Sequence, residues 1–334
     1  MGLLAAALAE VPTERIVGIA GPPLPRHPTA ARDVIDVREL AQAGTSPLRL
    51  QPPRGRAFEH AWCWPRAHLG KDFTFACLDL AALSVRPGGA VWCAVRKAKG
   101  ADSIATQIER TLGRVETVSR ERGYRLLRAR RGDDYDIDAA TTRLAQRYEI
   151  ADPCLGDAIL RSSPGVFSRR ELDAGTRCLL EHVRDAGVPE PRVVLDVGAG
   201  VGPISVWAGL RWPSAQLWAV EPNLLAHACL LDNLVALGLA PRATAVCRAG
   251  LGDELAAVRG EVDLALLNPP THLDVEALCE LVADVLAWLG PDGRAFFVVS
   301  RADALATPLR RAGAEALAHT YPRYTVMQVR GQAR

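Results

Sequence analysis

The sequence predicts an α/β chain that holds one doubly wound, largely parallel sheet fold twice, the first copy degenerate. Three observations carry this. An apolar run, Val193-Val194-Leu195-Asp196-Val197, enters the loop Gly198-Ala199-Gly200-Val201-Gly202, and Pro203 opens a helix-like segment behind it. Two later strand-like runs end in chemistry-bearing residues, 217–220 at Glu221 and 262–267 at Asn268-Pro269-Pro270. Residues 83–130 and 288–330 repeat one order: a Pro/Gly turn, a strand, a helix, a strand, then a strand opened by tyrosine.

In chain order, the first strand-like run is Arg15-Ile16-Val17-Gly18-Ile19-Ala20, and it leads to Gly21-Pro22-Pro23. Proline there removes a donor and blocks close approach of a ligand to the backbone. Residues 1–140 are therefore expected to be a non-catalytic copy. Where the second copy has Asn268-Pro269-Pro270, the first has Trp62-Cys63-Trp64-Pro65. Six arginines at 120, 122, 125, 128, 130 and 131 surround Tyr124. They read either as a phosphate-tracking patch or as a charged edge strand that discourages pairing. The acidic run at 133–138 predicts a hinge. Residues 141–190 are expected to form a linker with an amphipathic helix near 171–186, its stripe made by Leu172, Leu179, Leu180 and Val183.

Residues 191–334 alternate strand and helix, the pattern of a doubly wound sheet. The glycines of the loop permit positive φ and let a ligand lie against bare backbone. Pro203 suits a first helical position. Glu221 lies 19 residues past Gly202 (221 − 202), where an acid accepts hydrogen bonds from the ribose hydroxyls of a nucleoside. All three motifs fall at the carboxyl ends of successive strands, the ligand-binding edge of open α/β sheets.

Bulk properties narrow the class. At 334 residues there is room for two domains. A hydrophobic content of 49% with 23% charge fits a globular chain. No apolar run reaches the roughly 18 residues of a membrane span. The short apolar start reads as a small helix or a frayed end and not a signal peptide, so a cytoplasmic location is expected. Eight scattered cysteines without a C-x-x-C pair read as reduced core residues, and seven isolated histidines give no metal-ligand spacing. Residues 1–150 carry 23 Lys and Arg against 17 Asp and Glu, whereas residues 151–334 carry 17 against 21. A basic front half reads either as the mark of an anionic partner or as an Arg-rich surface set by genome composition, since lysine occurs only three times.

With these motifs in place, the chain resembles the two-domain ribosomal RNA guanine-N2 methyltransferases of the RsmC type. These are class I S-adenosylmethionine (SAM) methyltransferases with two tandem Rossmann-like, seven-stranded domains, the N-terminal one inactive. The resemblance rests on the Gly-x-Gly-x-Gly spacing, Pro164-Gly165-Val166-Phe167-Ser168, Val220-Glu221-Pro222-Asn223, Asn233 and Asn268-Pro269-Pro270. It implies that residues 191–334 bind SAM, with the methionine part on Asp196 and the backbone of Gly198, Gly200 and Gly202, and the ribose on Glu221. It implies that the Asn268 side-chain oxygen and the Pro269 carbonyl accept both hydrogens of an exocyclic amine, turning its lone pair toward the methyl group. Phe167, Pro270, Thr271 and His272 would contact the substrate. The implied partner is rRNA or the small ribosomal subunit, gripped by the basic front domain.

One departure supports an alternative. The family places an aromatic residue directly after Asn-Pro-Pro to stack on the base, and here that position is Thr271. A small-molecule methyltransferase on the same scaffold is therefore the second expectation. The segment 247–253 also lacks an acid at its usual place against adenine, Asp253 coming a few residues late.

Overall fold

The structure, a computed structural model, describes residues 1–64, 66–270 and 273–331. The chain divides into two compact units, Met1–Arg147 and Tyr148–Arg334.

The first unit contains α1 (Gly2–Ala7), β1 (Ile16–Ile19), β2 (Ala31–Val34), β3 (Thr45–Pro47), β4 (Phe58–Cys63), α2 (Lys71–Ser84), β5 (Val85–Arg96), α3 (Ala101–Leu112), β6 (Val115–Glu121), β7 (Tyr124–Arg130) and α4 (Ile137–Leu144). Its sheet runs β3-β2-β1-β4-β5-β7-β6. The second unit contains the hairpin β8 (Tyr148–Ala151) and β9 (Ile159–Ser162), then α5 (Ala174–Asp185), β10 (Val193–Val197), α6 (Pro203–Arg211), β11 (Gln216–Val220), α7 (Leu224–Ala236), β12 (Ala243–Val246), β13 (Val262–Leu267), α8 (Val275–Trp288), β14 (Leu289–Val299), α9 (Ala306–Arg311), β15 (Ala316–Thr320) and β16 (Thr325–Arg330). Its sheet runs β12-β11-β10-β13-β14-β16-β15, the same order strand for strand.

The duplication extends to an irregularity. The Pro/Gly segments expected as turns are absorbed into β5 and β14 as bulges. Pairing jumps from Phe58↔Val85 to His60↔Ala90 in the first sheet, and from Val262↔Leu289 to Leu264↔Arg294 in the second. The extra residues bulge out on the same strand at the same place.

The copies differ where cofactor chemistry would lie. In the second unit α6 and α7 connect β10 to β11 and β11 to β12. The first unit has no α-helix in either connection among the described residues. Pro22, Pro23, Pro25 and Pro28 lie between β1 and β2, and prolines at this density forbid a helix. The Trp62 indole, fully buried, lies against bare Gly18 and Gly21: a Cβ would come within 2.3 Å of the ring at Gly18 and 2.8 Å at Gly21. The Arg32 guanidinium, also buried, donates to the Gly21 carbonyl at 3.1 Å. Side chains thus fill the end of β1, where a ligand would otherwise meet backbone.

Three expectations are corrected. The acidic run is not a hinge: Tyr135 is buried and donates to Asp79 at 2.9 Å, Arg143 grips the same carboxylate at 2.7 and 2.8 Å, and Asp136 caps α4. The stretch 141–190 is no separate linker, because it is divided between the two units at Arg147/Tyr148. Its helix begins at Ala174, since the Asp173 side chain accepts from the Thr176 amide and sets the N-cap there. Leu172 precedes the helix yet is buried with Leu179, Leu180 and Val183.

Among the six arginines, Arg125 pairs with Asp102 and Arg128 with Glu116, while Arg130 and Arg131 donate to backbone carbonyls. β7 lies between β5 and β6, so it is not an edge. Four of the six are therefore spent on the unit's own structure. All eight cysteines are free, and five are buried. No helix among the described residues is long and apolar enough to cross a membrane.

In the second unit the core lies between the sheet and its helices. Leu195, Ala265, Leu267 and Phe297 pack with Val282 and Val285 of α8. Phe296 and Phe297 point to opposite faces of β14 and are both fully buried, as a central strand covered on two sides requires. Burying each ring contributes roughly 1.5–3 kcal/mol, which fixes β13 and its carboxyl end in place.

Candidate active site

The expected residues converge because β11, β10 and β13 are consecutive in the sheet and parallel. Asp196, Glu221 and Asn268 thereby share one edge. Gly198, Gly200 and Gly202 have φ of 78°, 59° and 92°, the left-handed region that glycine enters at no steric cost.

The three glycines are not equivalent. A Cβ at Gly198 or Gly200 would meet nothing within 4 Å, so bare backbone borders open space there. A Cβ at Gly202 would come within 2.6 Å of Leu230. Gly202 therefore serves helix packing and N-caps α6, with Pro203 in its first turn.

Asp196 is buried, and its Oδ2 accepts from the Ser205 amide at 3.0 Å and hydroxyl at 2.6 Å. Its Oδ1 is buried without a hydrogen-bond partner in the structure. Burial pushes the carboxyl up to about 7; the Ser205 bonds oppose this and the Glu221 charge adds to it. Such an acceptor suits a cationic N–H donor, because leaving it unmet costs about 1–3 kcal/mol.

Glu221 shapes the loop it faces. Its Oε2 accepts from the Gly200 amide and its Oε1 from the Asn223 amide, both at 2.7 Å. A carboxylate offers about four acceptor positions, and these bonds hold the glycine turn and the α7 N-terminus in register. Asn223 caps α7 through Leu225 and Ala226 and donates to the Gly165 carbonyl at 3.0 Å. Asn233, buried within α7, bonds both backbone groups of Arg161 and the Val201 carbonyl. The Pro164–Ser168 segment is thus fastened to the loop from two sides. Within it Val166 is buried, while Phe167 is 67% exposed.

Asn268 is half-buried at the end of β13, followed by buried Pro269 and exposed Pro270. Its Nδ2 donates to Asp173 Oδ2 at 2.8 Å and to Thr176 Oγ1 at 2.9 Å. Both amide hydrogens are committed, so the trigonal amide directs Oδ1 the opposite way. Asp173 and Thr176 were missed from the sequence. The usable signal was an N-cap acid three residues before a threonine, which reads only as a helix start. Thr271 and His272 lie outside the described residues. No group of three or more His, Cys, Asp or Glu among the described residues is placed to hold a metal.

Comparison with known proteins follows the same geometry. The methyltransferase small domain family matches residues 157–328. The chain belongs to this family. The matched stretch takes in every expected site residue. Curated relatives of the domain include the ribosomal RNA small subunit methyltransferase C of Pseudomonas entomophila, 38% identical over 40% of this chain and 37% of the relative. The protein of that name from Chromohalobacter salexigens is 36% identical over 42% of this chain and 41% of the relative. The ribosomal RNA large subunit methyltransferase G of Ectopseudomonas mendocina is 36% identical over 42% of this chain and 34% of the relative. The chain thus aligns with well under half the length of these relatives. Among solved structures, the Thermus thermophilus 16S rRNA N2 G1207 methyltransferase (RsmC), in complex with AdoMet and guanosine, superposes with a TM-score of 0.80 at 23% identity. It covers 96% of this chain and 89% of its own. The methyltransferase small domain is therefore preceded by a second sheet of the same fold, and the tandem architecture expected from the sequence is borne out.

Proposed function

We propose that the chain is a cytoplasmic SAM-dependent N-methyltransferase acting on the exocyclic N2 amine of a guanine in small-subunit rRNA. The observation that carries this is the Asn268 amide, held by Asp173 and Thr176 so that an oxygen and not an NH2 group faces outward. An exocyclic amine is a poor nucleophile because its lone pair is delocalised into the ring. Asn268 Oδ1 and the Pro269 carbonyl accept its two hydrogens and turn the lone pair out of the ring plane. The work is mainly orientation, which accounts for large rate factors when the acceptor is rigid.

SAM, when bound, supplies a methyl group already activated on a sulfonium, so no strong general base is needed. The residues present fit it. Open space borders Gly198 and Gly200, the unpartnered Asp196 Oδ1 suits the methionine ammonium, and Glu221 suits the ribose. Phe167, exposed on a loop tied to Asn223, is the aromatic available to a target base where Thr271 stands in the usual aromatic position. The names of the curated relatives and the guanosine-bound structural neighbour support the substrate class.

The test is transfer from methyl-labelled SAM to unmodified small subunits, large subunits, naked rRNA and a metabolite extract. Label recovered as N2-methylguanosine from small-subunit RNA is the expected result. Label confined to the metabolite fraction would replace this reading with the small-molecule one.

A further inference from the structure

The first unit has lost the cofactor half of its site and kept a cavity in the other half. The cavity, of about 390 Å³, lies at the carboxyl ends of β4 and β5 and is lined by Trp64, Tyr124, Lys71, Arg96 and Lys99. Its size falls within the roughly 300–1,000 Å³ of small-molecule sites. Strand register identifies the place. Ile19 pairs with Cys63 and Val197 with Leu267, so Trp64 stands where Asn268 stands in the second unit. Val95 pairs with Arg125 and Val299 with Thr325, so Tyr124 stands where Tyr324 stands.

The lining has a consistent chemistry. The Trp64 and Tyr124 rings lie 6.0 Å apart, tilted by 31°, and form one aromatic wall. Lys71, Arg96 and Lys99 are exposed at the rim, and no ion-pair partner is found for them among the described residues. Among the described residues no acid lines this cavity. The chain has only three lysines among 40 basic residues, and two of them are here. This contrasts with the arginines of β7, which are spent on the fold. A second cavity of about 220 Å³ shares Ala94 and Tyr124 with the first and adds Glu121 and Arg122, which pair with each other at 3.5 Å.

We propose that this cavity is a second, non-methylating nucleotide site that takes an unpaired residue of an RNA strand, its base against Trp64 and Tyr124 and its phosphates on Lys71, Arg96 and Lys99. Only the identity of the strand as rRNA rests on the function proposed above. Stacking on aromatic side chains tolerates any base, and the cations add a salt-dependent grip.

The experiment measures binding of a fluorescein-labelled, mixed-sequence single-stranded octaribonucleotide to the full chain at several salt concentrations. Lys71→Ala/Lys99→Ala should weaken binding by about tenfold and flatten the logarithmic salt slope by about 1.4, two phosphate contacts at about 0.7 each. Tyr124→Leu should weaken it at least fivefold, in keeping with about 1 kcal/mol or more per stacked base. Both variants should keep the wild-type circular dichroism and resistance to proteolysis within residues 1–147, which report that the first unit is folded. Equal affinity and equal slope in wild type and the double-lysine variant would overturn the proposal. So would equal binding of a duplex of the same length. Competition by free AMP or GMP, lost in the variants, would assign the cavity to a soluble nucleotide and overturn the strand assignment. Methyl transfer is measured in parallel. Absent transfer with intact oligonucleotide binding would refute the function proposed above and leave this site standing.

Discussion

Asn268 and Asp173, 95 positions apart, are joined by a 2.8 Å hydrogen bond from Nδ2 to Oδ2. The same Asp173 oxygen accepts from the Thr176 amide at 2.9 Å, so one carboxylate both starts α5 and orients the β13 loop. A Cβ on Gly175 would lie 3.0 Å from that oxygen and 3.2 Å from the Tyr324 ring, so glycine at this position leaves the carboxylate undisturbed.

Under the function proposed above, Asp173 is a positioning residue. Asp173→Ala should lower kcat by about 10- to 100-fold, because a small misplacement of the acceptor is costly. SAM affinity should stay within about twofold. Loss of the cap should also cost about 1 kcal/mol of stability. Steady-state kinetics well below the melting temperature separate the two effects: an unchanged kcat beside a lowered Tm would reduce Asp173 to a helix cap.

The loop glycines should part company under substitution. Gly200→Ala places a methyl group in the space bordering the loop at φ 59°, so SAM affinity should fall at least tenfold for a stability cost of about 1–2 kcal/mol. Gly202→Ala drives a Cβ into Leu230, so the Tm should fall further. Titration calorimetry and thermal melts on both variants decide this. Equal SAM affinity in wild type and Gly200→Ala would make the loop merely a turn.

If Asp196 holds the cofactor as proposed, its protonation ties cofactor affinity to pH. Its carboxyl is pushed up to about 7, first by burial, so the folded chain retains a proton that the unfolded chain loses near pH 4. Between those values the folded state binds more protons, and this residue's contribution to stability falls as pH rises. A cationic ligand group beside Oδ1 favours the ionised form. SAM affinity should rise from about pH 5.5 to about pH 8, with proton release on binding. Asp196→Asn should flatten that rise, and its ligand-free Tm should gain on wild type more at the upper pH than at the lower. A flat wild-type profile would remove Asp196 from the cofactor site.

In the first unit, Asp79 is buried under Arg143 and Tyr135. Burial, followed by the Asp79 charge, holds the Tyr135 hydroxyl protonated far above its usual range. Asp79→Ala leaves a guanidinium and a phenol without their acceptor and should cost about 3–5 kcal/mol. Protease accessibility should rise within residues 130–147. Wild-type resistance to proteolysis there would mean that the 133–138 run is held by something else.

Phe167 offers a cleaner separation. It is 67% exposed, so Phe167→Ala should change stability by less than about 0.5 kcal/mol. If the ring stacks on the target base, KM for the RNA should rise about fivefold or more. An unaltered KM would leave the base without an identified aromatic partner.

What could be read in advance follows from what is local. The glycine loop, Pro203, Glu221 and Asn268-Pro269-Pro270 were legible because strand ends and tight turns leave backbone requirements in consecutive residues. The doubled fold was legible from tyrosine-led strands and Pro/Gly segments that recur in order. The Asp173–Asn268 clamp was not, because a side-chain contact across 95 positions leaves no pattern in either neighbourhood. The acidic run misled for a related reason. Its charges are on the surface, and the anchoring group is the single tyrosine among them, with its partner on a helix 56 positions earlier. Trp62 reads as one more apolar strand residue until Gly18 and Gly21 are seen beneath its ring.

That indole has a consequence for how the two units withstand change. In the second unit the loop at the same sheet edge borders open space beside Gly198 and Gly200, and a ligand that fills it adds stability that depends on the ligand's concentration. In the first unit the occupant is covalently part of the chain. It cannot be diluted or competed away, so its contribution to that unit's stability does not vary with any ligand's concentration.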